Sequence, residues 1–168
     1  LTPLLDQSYA AVIIAGDLVS NARLRLGPAL RDLVQRFAPA QVFFFPGNHD
    51  FYGAGIDEED RLQQITEAAG AIYAQKLELI QGDTRFLMAT LWTDFALNGD
   101  PDWAMTTAEA WMMDHSHISM PGSWAGDLSP IPRRRLAAKA LRRIHAEHRA
   151  WIAERLAGYD RRPEAYHL

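Results

Sequence analysis

Two short stretches hold the residue types best suited to chemistry, Gly16-Asp17 and, a helix-length further on, Gly47-Asn48-His49-Asp50. Asp17 offers two carboxylate oxygens, Asn48 a neutral amide oxygen, and His49 the side chain suited to proton transfer near neutral pH. Hydrolysis of a phosphate ester must stabilise charge on oxygen and supply a nucleophile. A pair of divalent ions does both, by clamping oxygens and acidifying bound water. A carboxylate is the natural bridge between two such ions, which is the place for Asp17. Asn48 adds a donor without adding negative charge. His49, beside it, is better placed to give a proton to the leaving group than to bind the same ion. Asp50 either orients His49 as part of the catalytic set or caps the loop. Asp94, at the end of a later strand, is a candidate for the substrate side of the cleft.

The elements that must position these residues are legible around them. Tyr9 to Ala15 and Gln41 to Phe45 are short apolar runs that stop at Gly or Pro-Gly, as buried strands do. Between them the spacing of Leu26, Leu30, Leu33, Val34 and Phe37 predicts a helix over 22–37, with Ser20-Asn21 as N-cap and regular structure from Pro28. Strand, helix and strand in this length make a right-handed βαβ unit with parallel strands. Both strands then end at one edge, and Asp17, Asn48 and His49 meet there. A helix is predicted over 57–70, with acidic residues at its N-terminal end. Strands follow at 71–73, 77–80 and 85–92, the last two joined by a turn at Gly82-Asp83. A helix is expected over 103–117, with Met105, Ala108, Trp111 and Met112 on its inner side. An irregular segment spans 118–132, and a final helix 133–157 is stopped by Gly158. Its buried face is read as Leu136, Ala140, Leu141, Ile144, Trp151, Ile152 and Leu156. The fold class is α/β, on the border of α+β, in a single domain over 1–168.

Composition narrows the function classes. Apolar residues make up 48% and charged residues 23%, the profile of a globular protein with a real core. No apolar run reaches the ~20 residues of a membrane span and no secretory leader is visible, so a cytoplasmic setting is expected. Without Cys, a metal must be held by oxygen and imidazole, which points to Mn, Fe or Zn. The net charge of −4 is uneven: residues 1–132 carry 7 Lys and Arg against 17 Asp and Glu, and residues 133–168 carry 10 against 4. The basic tail reads as the solvated face of a helix, with nucleic-acid contact through 133–157 as the alternative.

Gly16-Asp17 and Gly47-Asn48-His49-Asp50, each after an apolar strand, resemble the second and third signature motifs of the calcineurin-like metallophosphoesterases. Leu91-Trp92-Thr93-Asp94-Phe95 is similar to a stretch of its bacterial members. The resemblance implies a four-layer β-sandwich flanked by helices and two divalent metal ions. It also implies a phosphate-ester substrate, with Asp17 bridging the metals, Asn48 binding the second and His49 acting as the leaving-group acid. The family's opening Asp-x-His has no counterpart before Asp17, where Asp6 is followed two positions on by Ser8. Its closing Gly-His-x-His has none either, since no Gly-His pair occurs. With Leu1 at one end and no closing strand expected at the other, the chain is read as the middle of a longer enzyme and as a poor catalyst alone. A non-catalytic binding module on the same fold is the other reading.

Further polar and aromatic residues are read as structural. His115, His117, His145 and His148 are expected at the surface, and Trp103, Trp111, Trp124 and Trp151 in core or lid packing.

Overall fold

The computed structural model describes residues 8–125, 132–157 and 166–167. β1 (Ala11–Ala15), α1 (Ala22–Phe37) and β2 (Gln41–Phe45) form the expected βαβ unit, with Ala15 level with Phe45 in the parallel register. β3 (Ile72–Tyr73) adds a third parallel strand on the far side of β2, so the sheet order is β1-β2-β3. Alternation along the strands sorts two cores. Val42 and Phe44 pack with Leu26 and Leu30 of α1 and with Leu62 of α2 (Glu59–Ala68). Phe43 faces the other way, against Ala74, Leu79 and Met88. Leu79 and Met88 belong to β4 (Leu77–Gln81) and β5 (Thr84–Met88), an antiparallel hairpin. The result is a mixed α/β structure with a parallel sheet flanked by helices.

Several elements depart from the sequence expectation. α1 is helical from Ala22, and Pro28 lies inside it, not at its start; Asn21 stands at the N-cap in a left-handed conformation without a side-chain bond. The expected strand 85–92 ends at Met88, because Leu91 turns left-handed at φ 46° and the Thr90 hydroxyl bonds the Pro46 carbonyl at 2.6 Å. The helix expected over 103–117 is two, α3 (Pro101–Trp111) and α4 (Asp114–His117), because Met112 is extended between them. Only Met105 and Ala108 of its inner side are buried; Trp111 is 84% exposed, and Trp103 and Met112 are exposed too.

Residues 133–135 are not the start of the last helix. They form β7 (Arg133–Arg135), antiparallel to β6 (Ser119–Pro121), within a stretch read as irregular. Three consecutive arginines have no helical face to bury, and the ribbon is continued by Leu136 N–H on the Ile118 carbonyl at 3.0 Å. α5 (Ala138–Ala157) then begins where Glu109 of α3 accepts the Ala138 N–H at 2.7 Å. Leu156 of the expected buried face is exposed, and His148 takes a buried place. The end of the chain does supply a strand: β8 (Tyr166–His167) lies parallel to β4. The lead-in with Pro3, the middle of the 118–132 segment and the Gly158 helix stop lie outside the described residues. Among the described residues no helix is long and apolar enough to cross a membrane.

Candidate functional site

The site is built on a backbone contact. Gly16 and Asp17 follow β1 with φ of 72° and 53°, a left-handed pair that swings the chain across the end of β2. There Gly16 lies directly on Gly47: a Cβ at Gly16 would overlap the Gly47 backbone, and one at Gly47 would overlap the Asp17 carboxylate. Glycine is required at both positions by this approach. Asp17 Oδ1 accepts the His49 N–H at 3.0 Å, and its Oδ2 has no partner among the described residues. Asp17 and Asn48 line one cleft of about 430 Å³ with Thr90, Leu91, Met112 and Asp114.

Asn48 is held from the other side. Its Nδ2 donates to Asp114 Oδ1 at 2.7 Å, and the Tyr52 hydroxyl donates to the same oxygen at 3.0 Å. A carboxylate only accepts, so the amide must turn its NH₂ toward Asp114 and its oxygen away. Burial, with the Asp114 carboxylate close by, holds the Tyr52 hydroxyl above its ordinary pKa. His49 is exposed, its ring stacked on Tyr52 with centroids 4.5 Å apart.

Asp50 takes the second of the two places open to it in the sequence. Its side chain is fully buried, and its oxygens accept the N–H groups of Val19 at 3.0 Å and Gly47 at 2.9 Å. Burial pushes its carboxyl up, against those backbone donors. It ties the Asp17 turn to the Asn48 loop and makes no side-chain bond to His49. Asp94 is not brought to the cleft. Its Oδ1 accepts the Ala96 N–H, its Oδ2 lies 4.0 Å from His145, and it lines a separate hollow with Arg142 and Arg149.

Residues outside the motifs complete the walls. Asp114 is one: it is 5% exposed although Met112 and Met113 before it are exposed, so no local pattern marks it. His148 is another: 2% exposed, it accepts the Leu91 N–H on Nδ1 at 3.3 Å, and burial lowers its pKa to about 4. His145 donates to the Trp92 carbonyl. These two histidines are therefore not surface groups but fasten the cleft loop to α5. His115 is buried as well, donating to the Leu136 carbonyl at 2.7 Å, while His117 is exposed as expected.

Asp17 Oδ2 and the Asn48 amide oxygen are hard donors on one cleft and suit a divalent cation. No group of three His, Cys, Asp or Glu that could hold a metal forms among the described residues. The fit is therefore to part of a metal shell.

The comparisons agree with this geometry. The family model of calcineurin-like phosphoesterases matches residues 4–129, which takes in β1, β2 and the whole Asp17–Asn48–His49 edge. No curated protein and no solved structure matches the chain. By that match over most of its length, the chain belongs to the calcineurin-like phosphoesterase family.

Proposed function

We propose that the chain is a metal-dependent phosphoesterase domain. Members of the family typically hydrolyse phosphate esters and usually bind two metal ions. The observation that carries the reading is the Gly16–Gly47 contact, which brings Asp17, with one oxygen unengaged, and Asn48 to one cleft. Asp17 would hold both ions and Asn48 one of them, with the parallel sheet and the β4–β5 hairpin as parts of the two sheets of a four-layer sandwich. When bound, the ions supply Lewis acidity and a water acidified toward neutral pH. The chain's own residues then orient and move protons. Asp114 keeps the Asn48 oxygen turned to the cleft. His49, held by its backbone on Asp17 and by its ring on Tyr52, gives a proton to the leaving oxygen. Asp50 acts on this step only by fixing the loop.

Isothermal titration with Mn²⁺ tests the donors. Asp17→Asn and Asn48→Ala should each weaken binding by about tenfold or more, and unchanged affinity in both would remove the metal site. In the complete protein, His49→Gln should lower turnover of an aryl phosphate by about 10²–10⁴ while Mn²⁺ affinity holds. Loss of metal instead would make His49 a ligand. Metal binding without turnover in the complete protein would leave a binding module on this fold.

A further inference from the structure

A second pocket of about 430 Å³ opens beside the cleft, beyond Tyr52. Its described lining includes Arg23, Arg133, Arg134, Arg135 and His117, and no carboxylate. Arg23, from the first turn of α1, makes a two-pronged ion pair with Glu58 at 2.5 and 2.7 Å. Arg133 bonds Asp57 at 2.5 Å and Ser119 Oγ at 2.9 Å. Its guanidinium lies across Gly55, where any Cβ would overlap it. These two guanidinium groups are thus fixed in place by partners behind them, and Arg135 adds charge to the same wall. Arg135 is exposed and shares a ribbon face with Arg133, since alternate residues of a strand point the same way. A concave wall of this sign concentrates anions, and guanidinium geometry matches phosphate oxygens.

The pocket is tied to the cleft by α4. Asp114 at its start lines the cleft, and Ser116 and His117 at its end line the pocket, less than one helical turn or about 3–4.5 Å further along the axis. Alongside runs a stack of rings, His49 on Tyr52 at 4.5 Å and Tyr52 on His117 at 5.1 Å. His49 marks the leaving-group side, so a group that departs past it has its distal end at His117 and the arginines.

We propose that this pocket receives a second phosphoryl group on the leaving-group side of the substrate. The preferred class is then an organic phosphate phosphorylated twice with a sugar-sized spacer, as in a nucleoside 3′,5′-bisphosphate. Two phosphates joined directly are too short to span His49 to His117. The assignment rests on the reading of Asp17, Asn48 and His49 given above.

Titration calorimetry separates the pocket from the metal site. In chelator, inorganic pyrophosphate should bind the wild type and Asp17→Asn alike, and about tenfold more weakly to an Arg135→Ala variant whose melting curve shows it folded. With Mn²⁺, adenosine 3′,5′-bisphosphate should bind about tenfold more tightly than adenosine 5′-monophosphate, and Arg135→Ala should lose that margin while keeping its affinity for the monophosphate. No binding in chelator, or binding indifferent to Arg135, overturns the pocket. Binding that depends on Arg135 but shows no bisphosphate margin overturns its link to the substrate. Pyrophosphate binding without any Mn²⁺ response overturns the metal-site reading, and the substrate class with it, while the anion pocket stands.

Discussion

Asp114 decides which way the Asn48 amide faces, and an amide facing the wrong way presents NH₂ to a cation. Its carboxylate is buried, it is 66 residues from Asn48 in the chain, and one oxygen takes both the Asn48 and Tyr52 donors. Removing such an outer partner typically lowers metal affinity by about 10–100-fold. Asp114→Ala is expected to do so for Mn²⁺, whereas Asp114→Asn, whose amide oxygen can accept the same bond, should retain most of it. Equal affinity in all three proteins would take Asp114 out of the site. Asp17, Asn48 and His49 were legible as a set because each belongs to a motif at the end of a strand. Asp114 was not, since nothing local in Asp-His-Ser-His says that the acid turns inward to Asn48 while His115 is buried against Leu136 and His117 stays exposed. Asp50 was legible as important but not as a backbone acceptor, because its donors Val19 and Gly47 carry no side-chain signature.

At the scale of elements, α5 acts as a clasp on the loop between β5 and α3. Leu91 holds a left-handed backbone, which for a residue of this kind costs on the order of 1–3 kcal/mol and persists where neighbours over-determine it. Here the neighbour is His148, whose neutral Nδ1 accepts the Leu91 N–H. Burial, then Lys76 and His145, lower its pKa from 6.5 to about 4. The unfolded chain therefore takes up this proton first, and the contribution is complete above about pH 6.5 and lost as pH falls toward 4. Between pH 7.5 and 4.5, urea unfolding should show the wild type losing about 2 kcal/mol more than His148→Asn, which keeps an acceptor but no proton site. Parallel pH slopes would count against the clasp. The helix itself was legible, and so was the inward position: His148 stands four residues after Ile144 and seven after Leu141, on the buried stripe. Reading it as a surface group gave too much weight to the flanking arginines. The Arg133–Arg135 strand was hidden for another reason, because it depends on a tertiary partner, β6.

Across the whole molecule, the βαβ unit was the most legible part, its two strands being continuous apolar runs closed by glycine. The β8 contribution was the least, since a two-residue strand has no period to read. The cleft lies where the parallel sheet, the β5–α3 loop and α4 meet, so an ion bound there joins three parts of the fold. Ligand linkage then predicts that Mn²⁺ at a hundred times its dissociation constant adds about 2.7 kcal/mol and raises the midpoint of thermal unfolding by several degrees. Asp17→Asn, its affinity lowered tenfold or more, should gain at most about 1.4 kcal/mol at the same Mn²⁺ concentration and show a correspondingly smaller shift. An undiminished shift in that variant would place the ion elsewhere.

The Gly16–Gly47 contact bears on which ions the site accepts. Because two backbones touch without an intervening side chain, the separation of the Asp17 and Asn48 backbones is set by the register of β1 against β2. The two side chains are in turn held by the His49 N–H and by Asp114. A cation too large for the gap between them would have to break one of those bonds or spread two hydrogen-bonded strands, so discrimination by ionic radius at this edge would cost stability.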